Sequence, residues 1–173
     1  MKSRTIASLA LGGVVLLTAT GCGAVAPQAT TFQYTPSDGV NIFDDGDSAL
    51  AVRNVLVVAD RDGAEGNLVA TVANTGSSQE RLTVDWAAGN AAITIPAGET
   101  VSLGAGDEPL LVTGLDAQPG STVSMFFQSG DAQGTEIEIP VLDNCLEEYA
   151  DLAPNDDPQG AHCEQVKEVE SHH

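Results

Sequence analysis

Apolar and polar residues alternate through the middle of this chain with a period of two. Leu50, Val52, Leu56 and Val58 keep one parity, and Leu68, Ala70 and Val72 repeat the pattern. Leu82, Val84 and Trp86 alternate with Arg81, Thr83 and Asp85. Ile93 and Ile95 flank Thr94, and Val101 and Leu103 flank Ser102. Val123, Met125 and Phe127 form another such run, and Ile137, Ile139 and Val141 alternate with Glu136, Glu138 and Pro140. Side chains of a strand point alternately to its two faces, so each run predicts a half-buried strand. Turn formers separate the runs at Asn74-Thr75-Gly76, Pro96-Ala97-Gly98, Pro119-Gly120 and Ser129-Gly130-Asp131. No stretch in this region sustains a helical period over ten residues. Seven to eight short strands at regular spacing predict an all-β domain, an antiparallel β-sandwich over residues 48–142. Pro140 in the last run predicts an edge strand, because proline cannot donate to a ladder.

The segments on either side differ in kind. Residues 22–47 read as a tether: Gly, Ala, Pro, Gln and Thr dominate its start, and Asp44-Asp45-Gly46-Asp47 ends it. Phe32, Tyr34, Ile42 and Phe43 are too apolar for a pure spacer and are expected to pack partly against the domain. Residues 143–173 form an acidic C-terminal segment, with nine carboxylates against Lys167 and with Pro154 and Pro158 interrupting any helix. A short helix near Leu142–Leu152 followed by a polar tail is the expectation there.

The first 21 residues have the three zones of an export signal. Lys2 and Arg4 supply positive charge, Ile6 to Leu17 is an apolar run too short to cross a bilayer, and Ala19-Thr20-Gly21 is small enough for a peptidase pocket. Cys22 follows directly, so Leu16-Leu17-Thr18-Ala19-Thr20-Gly21-Cys22 resembles a lipobox, the bacterial signal for cleavage before Cys22 and lipid attachment to its sulfur. Lipid on Cys22 would hold the mature chain on the outer face of the cell membrane, outside the cytoplasm.

Charge narrows the partners. The formal net charge is −19, and loss of residues 1–21, which hold two basic groups and no acid, takes it to −21. Nucleic-acid binders need positive patches, so nucleic acid is not an expected partner. The same charge opposes lying flat on anionic lipid. Two cysteines, Cys145 and Cys163, remain after Cys22. In an oxidising compartment they are expected to pair; free thiols, or a metal site with His162, stay open as alternatives.

Catalytic sets are sparse. His162, His172 and His173 all lie in the acidic tail, so no imidazole is available beside a nucleophile in the sandwich. Gly104-Ala105-Gly106 is half a dinucleotide fingerprint without the third glycine or the helix. Asp60-Arg61-Asp62-Gly63 with Glu65, and the cluster Asp44, Asp45 and Asp47, have calcium-ligand chemistry, but a polar turn and the end of a tether account for them. Trp86 falls on the apolar face of its strand. No catalytic residue, metal ligand or cofactor is assigned, and the chain is not expected to be an enzyme.

From Ile93 to Val141 the order of features resembles the periplasmic copper chaperones of the PCuAC family. The matching residues are Ile95-Pro96-Ala97-Gly98, Leu110-Leu111-Val112-Thr113-Gly114-Leu115, Pro119-Gly120-Ser121-Thr122-Val123 and Ile139-Pro140-Val141, with Val72-Ala73-Asn74-Thr75-Gly76 earlier. The resemblance implies an immunoglobulin- or cupredoxin-like sandwich. That family's His-x-Met copper motif falls here on Pro109, Leu110 and Leu111, and the stretch between Trp86 and Ile93 holds neither His nor Met. The layout as a whole, including Val52-Arg53-Asn54-Val55-Leu56, is similar to the LpqE-type lipoproteins of actinobacteria. That resemblance implies an accessory lipoprotein of a membrane complex, including a respiratory assembly of the cytochrome bcc–aa3 type. The expectation is therefore a lipid-anchored binding module, with a copper-binding metallochaperone of altered site as the alternative.

Overall fold

A computed structural model describes residues 37–43, 48–104, 109–154 and 163. Among the described residues nine strands run in chain order: β1 Val40–Ile42, β2 Leu50–Ala59, β3 Glu65–Asn74, β4 Glu80–Trp86, β5 Gly89–Ile95, β6 Thr100–Leu103, β7 Leu110–Thr113, β8 Thr122–Ser129 and β9 Thr135–Leu142. The domain is all-β and cupredoxin-like. Its strands are ordered β5-β4-β8-β9-β2-β3-β6, with β1 on β2 and β7 on β3. The count exceeds the expected seven to eight because β1 and β7, at three and four residues, are too short to show alternation.

Every pairing is antiparallel except that of β9 with β2, where Val57 and Val58 face Val141 and Leu142 in parallel. That contact joins the two halves, so β9 lies inside the sheet and the expected edge position of Pro140 is corrected. The geometry tolerates the proline. Val141 N–H donates to Ser121 on the β8 side at 2.9 Å, and alternation turns the Pro140 nitrogen the other way. On that side, pairing with β2 begins only at Val141.

The core is filled as the alternation predicts on β3, β4, β8 and β9: Leu68, Ala70, Val72, Leu82, Val84, Met125, Phe127, Ile139 and Val141 are all buried in one cluster. Strand β2 departs from it. Its register with β3 shifts between Arg53 and Leu56, and Asn54 takes a left-handed backbone with φ of 51°. The extra residue of a bulge reverses the parity of everything after it. Leu50 and Val52 therefore share the core with Val55, Val57 and Ala59. Leu56 and Val58, expected beside them, point to the opposite face and join a second cluster with Val69 and Tyr149.

Part of the expected tether is a strand. Val40 faces Val55, Ile42 faces Val52, and Ile42 is buried in the main core. The expected helix near Leu142–Leu152 is reduced to a single 3-10 turn, Glu147–Tyr149, whose first turn is acidic and whose entry lacks a side-chain cap. The export signal, Cys22, the Asp44–Asp47 cluster and all three histidines lie outside the described residues.

Candidate functional site

Three places bear on function: the entry of the chain into the domain, the C-terminal cap, and the corner where the β4–β5 hairpin meets β7.

At the entry, Asn54 builds the seat for the N-terminal segment. Its left-handed backbone, which asparagine tolerates better than most residues, turns its side chain toward β1. Gly39 N–H donates to Asn54 Oδ1 at 3.0 Å, and Asn54 N–H donates to Asn41 Oδ1 at 3.1 Å. A side chain at Gly39 would run into the backbone of Asn54 and Val55, with a Cβ only 2.5 Å from the Asn54 carbonyl carbon. The chain that leads back to Cys22 is thus fixed to β2 from Gly39 onward.

The cap is the stretch after β9. Leu142, Leu146, Leu152 and Ala153 pack on Leu56, Val58, Val69 and Tyr149, covering the apolar outer face to which the β2 bulge turns Leu56 and Val58. Asn67, buried within β3, donates from Nδ2 to the Leu152 carbonyl at 2.9 Å. The Tyr149 hydroxyl donates to Asp38, tying the cap to the entry segment. Burial, then the hydrogen bond to Asp38, push the Tyr149 hydroxyl up to about 12, and the Asp38 and Glu148 charges act in the same direction. Cys145 and Cys163 are bonded, as expected, and both are buried. The bond closes the loop that contains the cap back onto the end of β9.

Neither Asp38–Tyr149 nor Asn67–Leu152 is foreseen in the sequence. A lone aromatic inside an acidic tail, and an asparagine in the middle of an apolar strand, are the signals that point to them.

At the corner, Trp86 Nε1 donates to the Thr113 carbonyl at 3.0 Å, so Trp86 has a polar role as well as half-buried packing against the core. Pro109 and Leu111 are exposed, Leu111 at 45%, and Leu110 is half-buried. Met125 is 1% exposed inside the core. Among the described residues no three His, Cys, Asp or Glu side chains converge as a metal site. The Asp60 carboxylate caps its own turn: Oδ1 accepts from Ala64 N–H at 2.8 Å and Glu65 N–H at 3.3 Å. Among the described residues no helix is long and apolar enough to cross a membrane.

No family model and no curated protein matches the chain. Solved structures do. It is similar to a copper-bound PCuAC domain from PmoF2 at 16% identity and TM-score 0.45, over 56% of this chain and 94% of that one. An apo PCuAC domain from PmoF1 gives 16% and 0.47 over 54% and 93%, and an apo PmoF2 PCuAC domain gives 15% and 0.45 over 56% and 91%. The likeness concerns the course of the chain alone, and the copper belongs to those domains.

Proposed function

We propose that this chain is a lipid-anchored binding module on the outer face of the cell membrane, an accessory lipoprotein of a membrane complex rather than an enzyme. The observation that carries the reading is the lipobox ending at Cys22 behind a charged start and a short apolar run. The Cys145–Cys163 bond agrees with it, since disulfides persist in oxidising, extracytoplasmic compartments. Because the chain is seated on β2 from Gly39, the span available between Cys22 and the domain is about 15 residues. Lipid on Cys22 would keep the domain within reach of the extracytoplasmic parts of a membrane complex. A respiratory assembly of the cytochrome bcc–aa3 type is the partner that the lipoprotein resemblance favours.

Copper carriage meets a chemical objection. Cu(I) sites are built from thioether, thiolate and imidazole ligands. Pro109, Leu110 and Leu111 stand at the family's ligand positions, Met125 is enclosed, and Cys145 and Cys163 are spent on each other.

The decisive experiment is membrane fractionation of the full chain and of Cys22→Ala. Wild type should stay with the membrane, and the variant should be released or remain unprocessed. Normal processing and unchanged fractionation of the variant would overturn the reading.

A further inference from the structure

Strand edges expose unpaired N–H and C=O groups, and proteins usually blunt them by brevity, charge, proline or a bulge. Three edge segments here are blunted by brevity: β1 has three residues, and β6 and β7 have four each. Strand β5 is different. It ends the strand order, pairs among the described residues only with β4, and runs seven residues, Gly89-Asn90-Ala91-Ala92-Ile93-Thr94-Ile95, in unbroken register. It has no charge and no proline, and the sequence is uncharged from Trp86 to Gly98. Among the described residues the one hydrogen bond to the β5 backbone from outside β4 is at its buried last residue, where Asn74 Nδ2 donates to the Ile95 carbonyl at 3.0 Å, and the main chain before it has no other partner than β4. Asn90, Ala92 and Thr94 are exposed, and the inward-facing Ala91 and Ile93 are only half-buried, as befits an open edge.

We infer that the free edge of β5 is a docking site that takes an extended, basic-flanked segment of a partner protein as an added strand. The inference rests on the binding-module reading above and gives that module its contact. Main-chain hydrogen bonds would supply the attachment, and the small alternating side chains of β5 would leave room for a neighbouring strand. Charge selects the occupant. Glu80 and Asp85 on the paired strand, and Glu99 just beyond β5, outnumber Arg81 there. A second copy of this chain would bring two bodies of formal charge −19 together along one edge. A segment with lysine or arginine at its ends meets the opposite field, which favours both encounter and register.

The test uses the full chain, purified in mild detergent, and the peptide acetyl-Lys-Lys-Thr-Val-Thr-Val-Thr-Lys-Lys-amide, with binding read by calorimetry and by the fluorescence of Trp86, the sole tryptophan. Saturable binding that weakens with salt is expected. Two further peptides carry N-methyl groups on alternate residues, one set odd and one even. A strand offers its partner only every second N–H, so one set should lose about a hundredfold in affinity, for roughly three lost hydrogen bonds, and the other should bind as the parent does. Ala92→Lys, at an exposed position, should weaken the parent peptide several-fold through like charge. Absence of saturable binding by the parent peptide, or equal binding by the two methylated sets, overturns the docking edge. So does concentration-dependent dimerisation of the full chain that Ala92→Lys abolishes, since the occupant would then be a second copy. None of these results alters the fractionation of Cys22→Ala, so failure of the edge and failure of the anchor are read separately.

Discussion

Removing the Cys145–Cys163 bond should free the cap before it disturbs the sandwich. The bond spans 18 residues and joins two points within the C-terminal segment, with no cross-link to the core strands. In the loop-entropy description, a closed loop of that length contributes about 3 kcal/mol. The closed loop contains every cap residue that covers Leu56, Val58 and Val69 apart from Leu142, which is already held in β9. In Cys145→Ser/Cys163→Ser that contribution should therefore be lost first from the equilibrium between closed and open cap. A change of about 3 kcal/mol is about a hundredfold in that equilibrium.

Amide hydrogen exchange reads it directly. Tyr149 N–H, bonded to the Leu146 carbonyl at 3.0 Å, and Leu152 N–H, bonded to the Tyr149 carbonyl at 3.0 Å, are the reporters. Both should exchange about a hundredfold faster in the double variant, while amides of β4 and β8 change less, since local openings are cooperative only within the unit that opens. An apolar dye should bind the variant, because the uncovered face presents Leu56, Val58 and Val69 to water. Unchanged protection at Tyr149 and Leu152 without the bond would refute the claim that the bond holds the cap down.

Three other outcomes follow from the same geometry. Tyr149 has a folded pKa of about 12, above its ordinary value of 10.0, so between those values the unfolded chain has given up a proton that the folded chain keeps; stability should fall as pH rises through that window, and alkaline denaturation of Tyr149→Phe should lack the fall. Asn54→Ala should cost about 2 kcal/mol in chemical denaturation, for a strained left-handed residue and a lost hydrogen bond to Gly39, while Asn54→Gly should cost about 1 kcal/mol because glycine adopts that backbone freely. In competition against a Cu(I) chelator the full chain should not take up copper stoichiometrically; uptake at high affinity would restore the chaperone reading.

The strands were legible in the sequence wherever one face alone is buried. On β4, β8 and β9 the alternation marks the inward residues correctly because each of those strands pairs without a break. Pro140 misleads because the edge rule treats a strand as having one partner along its whole length. Here β9 pairs with β8 for most of its length and meets β2 only at its last two residues. Of the site residues, the Cys145–Cys163 pairing was legible from compartment and count. The Tyr149–Asp38 bond was not, since it links positions 111 apart in segments that carry no periodic signal.

The deepest discrepancy, at β2, also explains the cap. Leu50, Val52, Leu56 and Val58 share a parity, so a regular strand would place all four in the core. A single left-handed residue at Asn54 breaks that equivalence, and no spacing rule reveals it, because the apolar residues on either side fit both phases: Val55, Val57 and Ala59 serve the core as well as Leu56 and Val58 would have done. The second half of β2, Val55-Leu56-Val57-Val58-Ala59, is apolar on both faces in either phase; the bulge decides that Leu56 and Val58 face outward, and an apolar outer face must be covered. The residues that cover it come from a segment whose composition is otherwise that of a solvated tail. Its Leu146, Tyr149, Leu152 and Ala153 are intelligible only once the outer face exists. The disulfide then has a physical reason beyond compartment. A short chain segment retains much conformational freedom when open, and closing its loop removes part of that freedom. Asn54, whose left-handed backbone makes the bulge, also seats Gly39 through its side chain, and Asp38 next to Gly39 accepts the Tyr149 hydroxyl. One asparagine therefore sets the phase of β2, selects Leu56 and Val58 as the residues the cap must cover, and fixes the N-terminal segment where it can hold that cap in place.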